Sequence, residues 1–279
     1  MKTLILASAP HTHSMFTVSR TMVAVMVCLS PATALGLYQF GWPAALLFLV
    51  TLLAAWLFEL LCLVVAGRPV APFARDGSAL LTGWLVAMTL PPWAPWWVGV
   101  VGAGIAIVIG KHLFGGLGQN LFNPAMVSRA MLLIALPVPM TQWVVPMDPT
   151  REPSLPEALA ITFGGGAPVD AVSSASVLGT LQSQLDAGTP MAQILQQIPD
   201  LHAQLTGFMA GSLGETSALL LLAGGLCLVF LRIITVVTPA AVLGSLFTLA
   251  GIAWLIAPDR FPPPLMHLTS GATMLSAFF

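Results

Sequence analysis

Long apolar runs separated by short polar gaps dominate the chain. Eight such runs fall at about 21–37, 43–66, 78–91, 95–110, 125–145, 216–231, 236–257 and 264–279. Several are uninterrupted and approach the roughly 20 residues an α-helix needs to cross a hydrocarbon core. The third is short and ends at Pro91-Pro92. The sequence Pro91-Pro92-Trp93-Ala94-Pro95-Trp96-Trp97 predicts a turn, because its prolines block helix continuation and its tryptophans suit a headgroup belt. The pattern predicts an all-α membrane protein, a polytopic bundle of about eight spans.

One polar gap is long. Residues 146–214 hold Asp148, Glu152, Glu157, Asp170, Asp186 and Asp200, together with the flexible stretch Gly164-Gly165-Gly166 and a predicted surface helix near 189–206. A loop of this length between spans is usually functional. It divides the chain into an N-terminal segment (1–20), a first membrane half (21–145), the loop (146–214) and a second membrane half (215–279).

Composition strengthens the membrane reading. The chain has 279 residues, 57% hydrophobic and only 7% charged, whereas soluble domains carry roughly 25% charged residues. A net charge of -1 gives no reason to expect nucleic acid. Cys28, Cys62 and Cys227 lie inside apolar runs without CxxC spacing, so no disulfide framework or metal site is predicted. The N-terminus lacks the small-residue cleavage site of a signal peptide and reads as an amphipathic lead-in.

The basic residues orient the chain. With the N-terminus in the cytoplasm, Lys2, Arg20, Arg68, Arg75, Lys111 and Arg232 fall in cytoplasmic loops, and Arg129 at the cytoplasmic end of the fifth span. Only Arg151 and Arg260 fall outside. The positive-inside rule therefore predicts an N-in topology, with loop 146–214 on the outer face.

An internal echo accompanies this topology. Asp76-Gly77-Ser78-Ala79-Leu80-Leu81 opens the third segment and Glu215-Thr216-Ser217-Ala218-Leu219-Leu220 the sixth, which runs the other way. That is the pattern of an inverted repeat. The last apolar run reaches Phe279 with about 16 residues and no basic anchor, so the sequence is expected to stop inside a helix.

Few residues offer chemistry, and no catalytic constellation of a soluble enzyme is present. His11 and His13 read as incidental, and Gly115-Gly116-Leu117-Gly118-Gln119-Asn120 follows a membrane helix rather than a strand, so it is not a dinucleotide fingerprint. Lys111 is placed to complement a helix dipole, and Asn123-Pro124 reads as N-cap and first residue of the fifth span. The glycines between them permit either a plain capped loop or a re-entrant one lining a cofactor or ion path. Asp76 reads first as a helix cap, with an ion path as the alternative. Glu59, inside Ala55-Trp56-Leu57-Phe58-Glu59-Leu60-Leu61-Cys62, is costly in lipid and must face a partner, a water path or another subunit unless it snorkels to the surface. Asp170-Ala171-Val172-Ser173-Ser174-Ala175-Ser176 is by itself a small-residue turn with exposed hydroxyls.

Four stretches together carry a family resemblance. Arg75-Asp76-Gly77-Ser78-Ala79-Leu80-Leu81-Thr82-Gly83, Leu90-Pro91-Pro92, Gly118-Gln119-Asn120-Leu121-Phe122-Asn123-Pro124-Ala125-Met126-Val127 and Gly211-Ser212-Leu213-Gly214-Glu215-Thr216-Ser217-Ala218-Leu219 resemble the RnfD/NqrB family. These are membrane subunits of the Rnf complex and of the sodium-pumping NADH:quinone oxidoreductase. The absence of a long N-terminal extension makes the chain most similar to RnfD. The resemblance implies two inverted five-helix halves, and hence two helices beyond Phe279. It implies FMN joined through its phosphate to a threonine hydroxyl in an outer loop. That motif falls on Asp170 to Ser176, so Ser176 takes the threonine's place, with Asp170, Ser173 and Ser174 shaping the turn. A second, non-covalent flavin is also compatible with the family, with Asn120 and Asn123 as cofactor-binding candidates.

Thr269-Ser270-Gly271-Ala272-Thr273 spells the flavinylation motif of a sister subunit more closely. It lies inside the last apolar run, beyond the reach of an external transferase, so Thr273 is the lesser candidate. The resemblance further implies electron transfer between NADH and ferredoxin coupled to Na+ or H+ movement, partner subunits of the A, B, C, E and G types, and the bacterial inner membrane. The subunit is then part of an oxidoreductase rather than catalytic alone. The rival class is a stand-alone secondary transporter with inverted repeats; the few membrane carboxylates form no evident relay, which weighs against it.

Overall fold

The structure, a computed structural model, describes residues 17–146, 153–164, 184–185, 187–191, 193–194, 205–215, 217–269 and 271–279. Its architecture is helical. The first two apolar runs form a single helical stretch, α1 (Val18–Val65), interrupted only at Gly41. There the backbone takes φ 69° and ψ -158°, which a residue with a Cβ rarely tolerates. Pro43 follows in the first turn of the second limb, where its missing N–H costs little. The two limbs lie side by side. Met22, on the first, lies beside Gly77 at the start of the third predicted segment, and Glu59, on the second, is linked to Ser78 there through Lys111.

That segment is α3 (Ser78–Thr89), preceded by a short α2 (Val70–Ala74). Helix α3 runs along both limbs. Trp84 donates its indole N–H to Thr33 Oγ1 at 2.9 Å, and its ring stands edge-on to Phe48 with centroids 5.2 Å apart. A Cβ on Gly83 would lie 2.7 Å from Ala55 Cβ, so glycine sets how closely α3 meets the second limb. The turn at Pro91 closes with the N–H of Ala94 donating to its carbonyl at 3.1 Å. Trp93 is buried there rather than belted at a headgroup, and its indole donates to the Phe40 carbonyl at 2.9 Å beside the Gly41 break. Trp96 and Trp97 remain exposed.

Next comes α4 (Trp96–Gly104), which widens into a π-helical segment over Ile105–His112. The glycine loop 115–118 follows, with Gly115, Gly116 and Gly118 all at positive φ. Asn123 caps α5 (Pro124–Ala135), accepting from the N–H of Ala125 at 3.0 Å, as the sequence predicts. The fifth run does not continue to 145 as one helix. It breaks at Leu136, and α6 (Pro137–Thr141) starts anew, because Pro137 has no N–H to give. Ser128 Oγ donates to the Gly102 carbonyl at 2.7 Å and ties α5 to α4.

Part of region 146–214 is helical and folds back on the bundle. Helix α7 (Leu155–Gly164) packs on α1, and Phe163 stacks near Trp96 with ring centroids 6.2 Å apart. It opens with the carboxylate half of a Ser154-x-x-Glu157 capping box: the N–H of Ser154 donates to Glu157 Oε2 at 2.8 Å. This bond holds the Glu157 carboxyl below its ordinary range. The surface helix predicted near 189–206 lies largely outside the described residues.

A 3-10 turn (Leu213–Glu215) leads to α8 (Ala218–Phe230), capped by Ser217, and then to α9 (Val237–Ile256). Gly214 lies against Met88 and Gly224 against Cys28, so α8 descends along the first limb in the direction opposite to α3. The last run is two short helices, α10 (Pro264–Leu268) and α11 (Gly271–Phe278).

All eight predicted runs contain helix, but their lengths differ from the expectation. Helices Val18–Val65 and Val237–Ile256 are long and apolar enough to cross a membrane, while Trp96–His112, Pro124–Ala135 and Ala218–Phe230 are shorter. Prolines at 91, 92 and 137 account for the early stops of α3 and α5. Helix α9 is apolar all round and buries only Pro239, which suits a lipid or subunit environment rather than water.

Candidate functional site

Among the described residues, one carboxylate is almost wholly buried in the apolar core. Glu59 is 2% exposed and does not snorkel to the helix end. Its partner is Lys111, 3% exposed, whose Nζ stands 2.8 Å from Glu59 Oε2. Lys111 therefore does more than complement a helix dipole: it neutralises a charge that low dielectric would otherwise make prohibitive. Its Nζ also donates to Ser78 Oγ at 2.7 Å, and Ser78 donates onward to Asp76 Oδ1 at 2.6 Å. Asp76 accepts from the Ser78 N–H as well, at 2.7 Å, so it closes the turn before α3 from one residue outside the cap position, which Gly77 holds.

The π-helical segment explains the convergence. Its wider turn brings adjacent positions 111 and 112 to one acceptor. His112 Nε2 lies 3.0 Å from the same Glu59 oxygen, off the line of a hydrogen bond. Gly110 makes room by letting Pro124 approach; a Cβ there would sit 2.8 Å from Pro124 Cα.

A cavity of about 350 Å³ opens onto this cluster, and Glu59, Arg68, Phe73, Asp76, Lys111 and Gly116 are among the residues that line it. Arg68 closes one side by donating to the Gly115 carbonyl at 2.7 Å. The arrangement can hold or pass one small positive charge between an open cavity and a buried carboxylate. No group of three or more His, Cys, Asp or Glu side chains converges as a metal centre among the described residues. The three cysteines are free thiols.

A second pair lies near the opposite end of α3. Arg129 Nη2 stands 3.4 Å from Glu215 Oε1, and the Ser212 N–H donates to Glu215 Oε2 at 3.3 Å. Arg129 thus reaches toward the 3-10 turn, where the sequence places it at the cytoplasmic helix end. Beside it is a cavity of about 440 Å³, lined by Met126, Arg129, Ser245, Leu249, Thr273 and Ser276 among others.

The predicted site residues divide accordingly. Glu59 and Asp76 are brought together, joined by Ser78 and Lys111. Asn120 and Asn123 instead serve their own backbone: Asn120 donates to the Phe122 carbonyl at 3.1 Å and Asn123 caps α5. Thr273 is half-buried at the second cavity. Asp170, Ser173, Ser174 and Ser176 lie outside the described residues. Sequence reasoning missed Lys111 and His112 as partners of Glu59. The available signal was charge: a lone cation and a lone carboxylate in apolar helices each require an opposite number.

The NQR2, RnfD, RnfE family model matches residues 5–279. The chain belongs to this family. Among its relatives, the D-type subunit of the ion-translocating oxidoreductase complex of Rhodobacter capsulatus is 61% identical over 272 residues, covering 98% of this chain and 76% of that protein. The corresponding D-type protein from Stutzerimonas stutzeri is 50% identical over 264 residues, covering 94% and 74%. That of Escherichia coli (strain SE11) is 38% identical over 286 residues, covering 98% and 80%. For this NQR2, RnfD, RnfE family member, the four stretches that carry the resemblance lie on defined structure: the start and end of α3, the glycine loop into α5, and the 3-10 turn into α8.

Proposed function

We propose that this chain is the D-type membrane subunit of an Rnf-type ion-translocating oxidoreductase complex. It acts in the bacterial inner membrane with its N-terminus in the cytoplasm, beside partner subunits of the A, B, C, E and G types. Its share of the work is electron relay on the outer face and passage of Na+ or H+. The observation that carries the ion-path half is the buried Glu59–Lys111–Ser78–Asp76 chain opening onto a cavity. The opposed directions of α3 and α8, each starting beside a carboxylate and a serine, support an inverted repeat.

FMN, when bound, supplies one- and two-electron redox chemistry. The family pattern assigns its phosphoester to Ser176, with Asp170 and Ser173 setting the turn. The cavity at Thr273 has a volume in the range of small-molecule sites and a guanidinium at its wall. It suits a second, non-covalent flavin better than an enzymatic attachment point, since Thr273 sits on a helix within the apolar bundle.

Fluorescence of the denatured protein in a gel under ultraviolet light tests the flavin assignment. Ser176→Ala should abolish it and Thr273→Ala should not. Fluorescence that follows Thr273 instead would overturn the assignment. A dark band from the unaltered chain, despite a flavin spectrum in the native complex, would show that serine does not carry the attachment.

A further inference from the structure

The ionisable side chains on the wall of the cavity below α3 are Glu59, Arg68, Asp76, Lys111 and His112. Arg68 is committed to the Gly115 carbonyl. Lys111 is held differently. Its Nζ lies between a carboxylate oxygen of Glu59 at 2.8 Å and the hydroxyl oxygen of Ser78 at 2.7 Å. Oxygen atoms of these two kinds are what hard cations take as ligands. Both ends of the pair are almost wholly buried, so water competes little for the position. Asp76, at the cavity wall, has no ion-pair partner among the described residues and is tied to Lys111 only through the Ser78 hydroxyl.

We infer that the Lys111 ammonium is a tethered stand-in for a mobile monovalent cation at the Glu59–Ser78 position. It fills that position permanently and leaves Asp76 as the carboxylate that a mobile ion can reach from the cavity. Lys111 is thus a positioning residue that sets where an ion stops. The inference deepens the ion-path reading and rests on it for its physiological meaning. A merely structural ion pair differs from this in one respect: an alkali cation could not take the place of its missing ammonium.

The test is cation rescue of a variant without the ammonium. The complex carrying Lys111→Met is purified and melted in sodium chloride and in choline chloride, whose cation is too large for the position. In choline the variant melts several degrees below the unaltered complex. Sodium restores at least half of that loss, and the gain climbs with the logarithm of sodium concentration, as mass action requires of a ligand that binds only the folded state. The double variant Glu59→Gln with Lys111→Met, which has neither charge, shows no such sodium effect. Lys111→Gln removes the charge but keeps a hydrogen-bond donor, and it carries the same comparison if Lys111→Met does not accumulate. Equal melting in the two salts, or a sodium effect that survives in the double variant, would overturn the inference. The readout involves no transport, so its failure is separable from that of the ion-path reading, which the transport of an Asp76 variant tests.

Discussion

Glu157 gives the simplest residue-scale test. It is exposed, and the N–H of Ser154 donates to it at 2.8 Å, which holds its carboxyl below the ordinary range. A carboxyl lowered in the folded state contributes stability above its unfolded pKa of about 4.3 and loses it as pH falls through the folded value. The start of α7 should therefore hold at neutral pH and fray in acid below that range. Carboxyl-carbon NMR should show Glu157 titrating below the other exposed glutamates. A value at or above the ordinary one would mean that the capping box is not formed. That box, Ser154-x-x-Glu157, is visible in the sequence, yet the helix behind it is hard to see inside a region dominated by polar and small residues. The Glu59–Lys111 pair illustrates the opposite difficulty. Each residue is conspicuous alone in an apolar helix, but 52 positions separate them and no local pattern links them. The chain reversals after Val65 and at Pro91, the packing of α4 on α1 and the π-helical segment bring them together.

Contact between elements depends on a few glycines, and they can be told apart by what surrounds them. A Cβ added to Gly83 on α3 would meet Ala55 and, at 3.3 Å, the backbone of Leu52, whereas one added to Gly244 on α9 would meet nothing within 4 Å. Gly83→Leu should lower the stability of the purified complex by about 1–3 kcal/mol, the usual cost of overpacking. Gly244→Leu should leave the bundle's own packing unchanged. Differential scanning measurements of both variants decide this, and equal melting temperatures would contradict the packing of α3 against α1. The apolar runs announce where helices lie because hydrophobicity is a property of local sequence. Their lengths are less legible. Pro137 ends α5 at Ala135, because backbone hydrogen bonding overrides apolar continuity.

For the whole molecule, the distribution of Lys and Arg sets the expected orientation. A periplasm-dependent reporter enzyme fused near Gln184 should be active, and one fused near Arg232 should be silent. Activity at Arg232 with silence at Gln184 would invert the topology and place loop 146–214 in the cytoplasm. The family was legible in four short stretches because they sit where backbone geometry is demanding: the turn before α3, the double proline after it, the positive-φ glycine loop and the 3-10 turn into α8. The buried charge cluster was not, since its members come from α1, the turn before α3 and the π-helical segment.

The ion path is tested most directly in the complex reconstituted into sealed vesicles, by measuring electron transfer and cation uptake together. Asp76→Asn keeps the size of the side chain and an acceptor for Ser78 while removing the charge that faces the cavity. Electron transfer should continue while sodium- or proton-dependent uptake falls to background. Uptake per electron equal to that of the unaltered complex would contradict an ion path through this cavity.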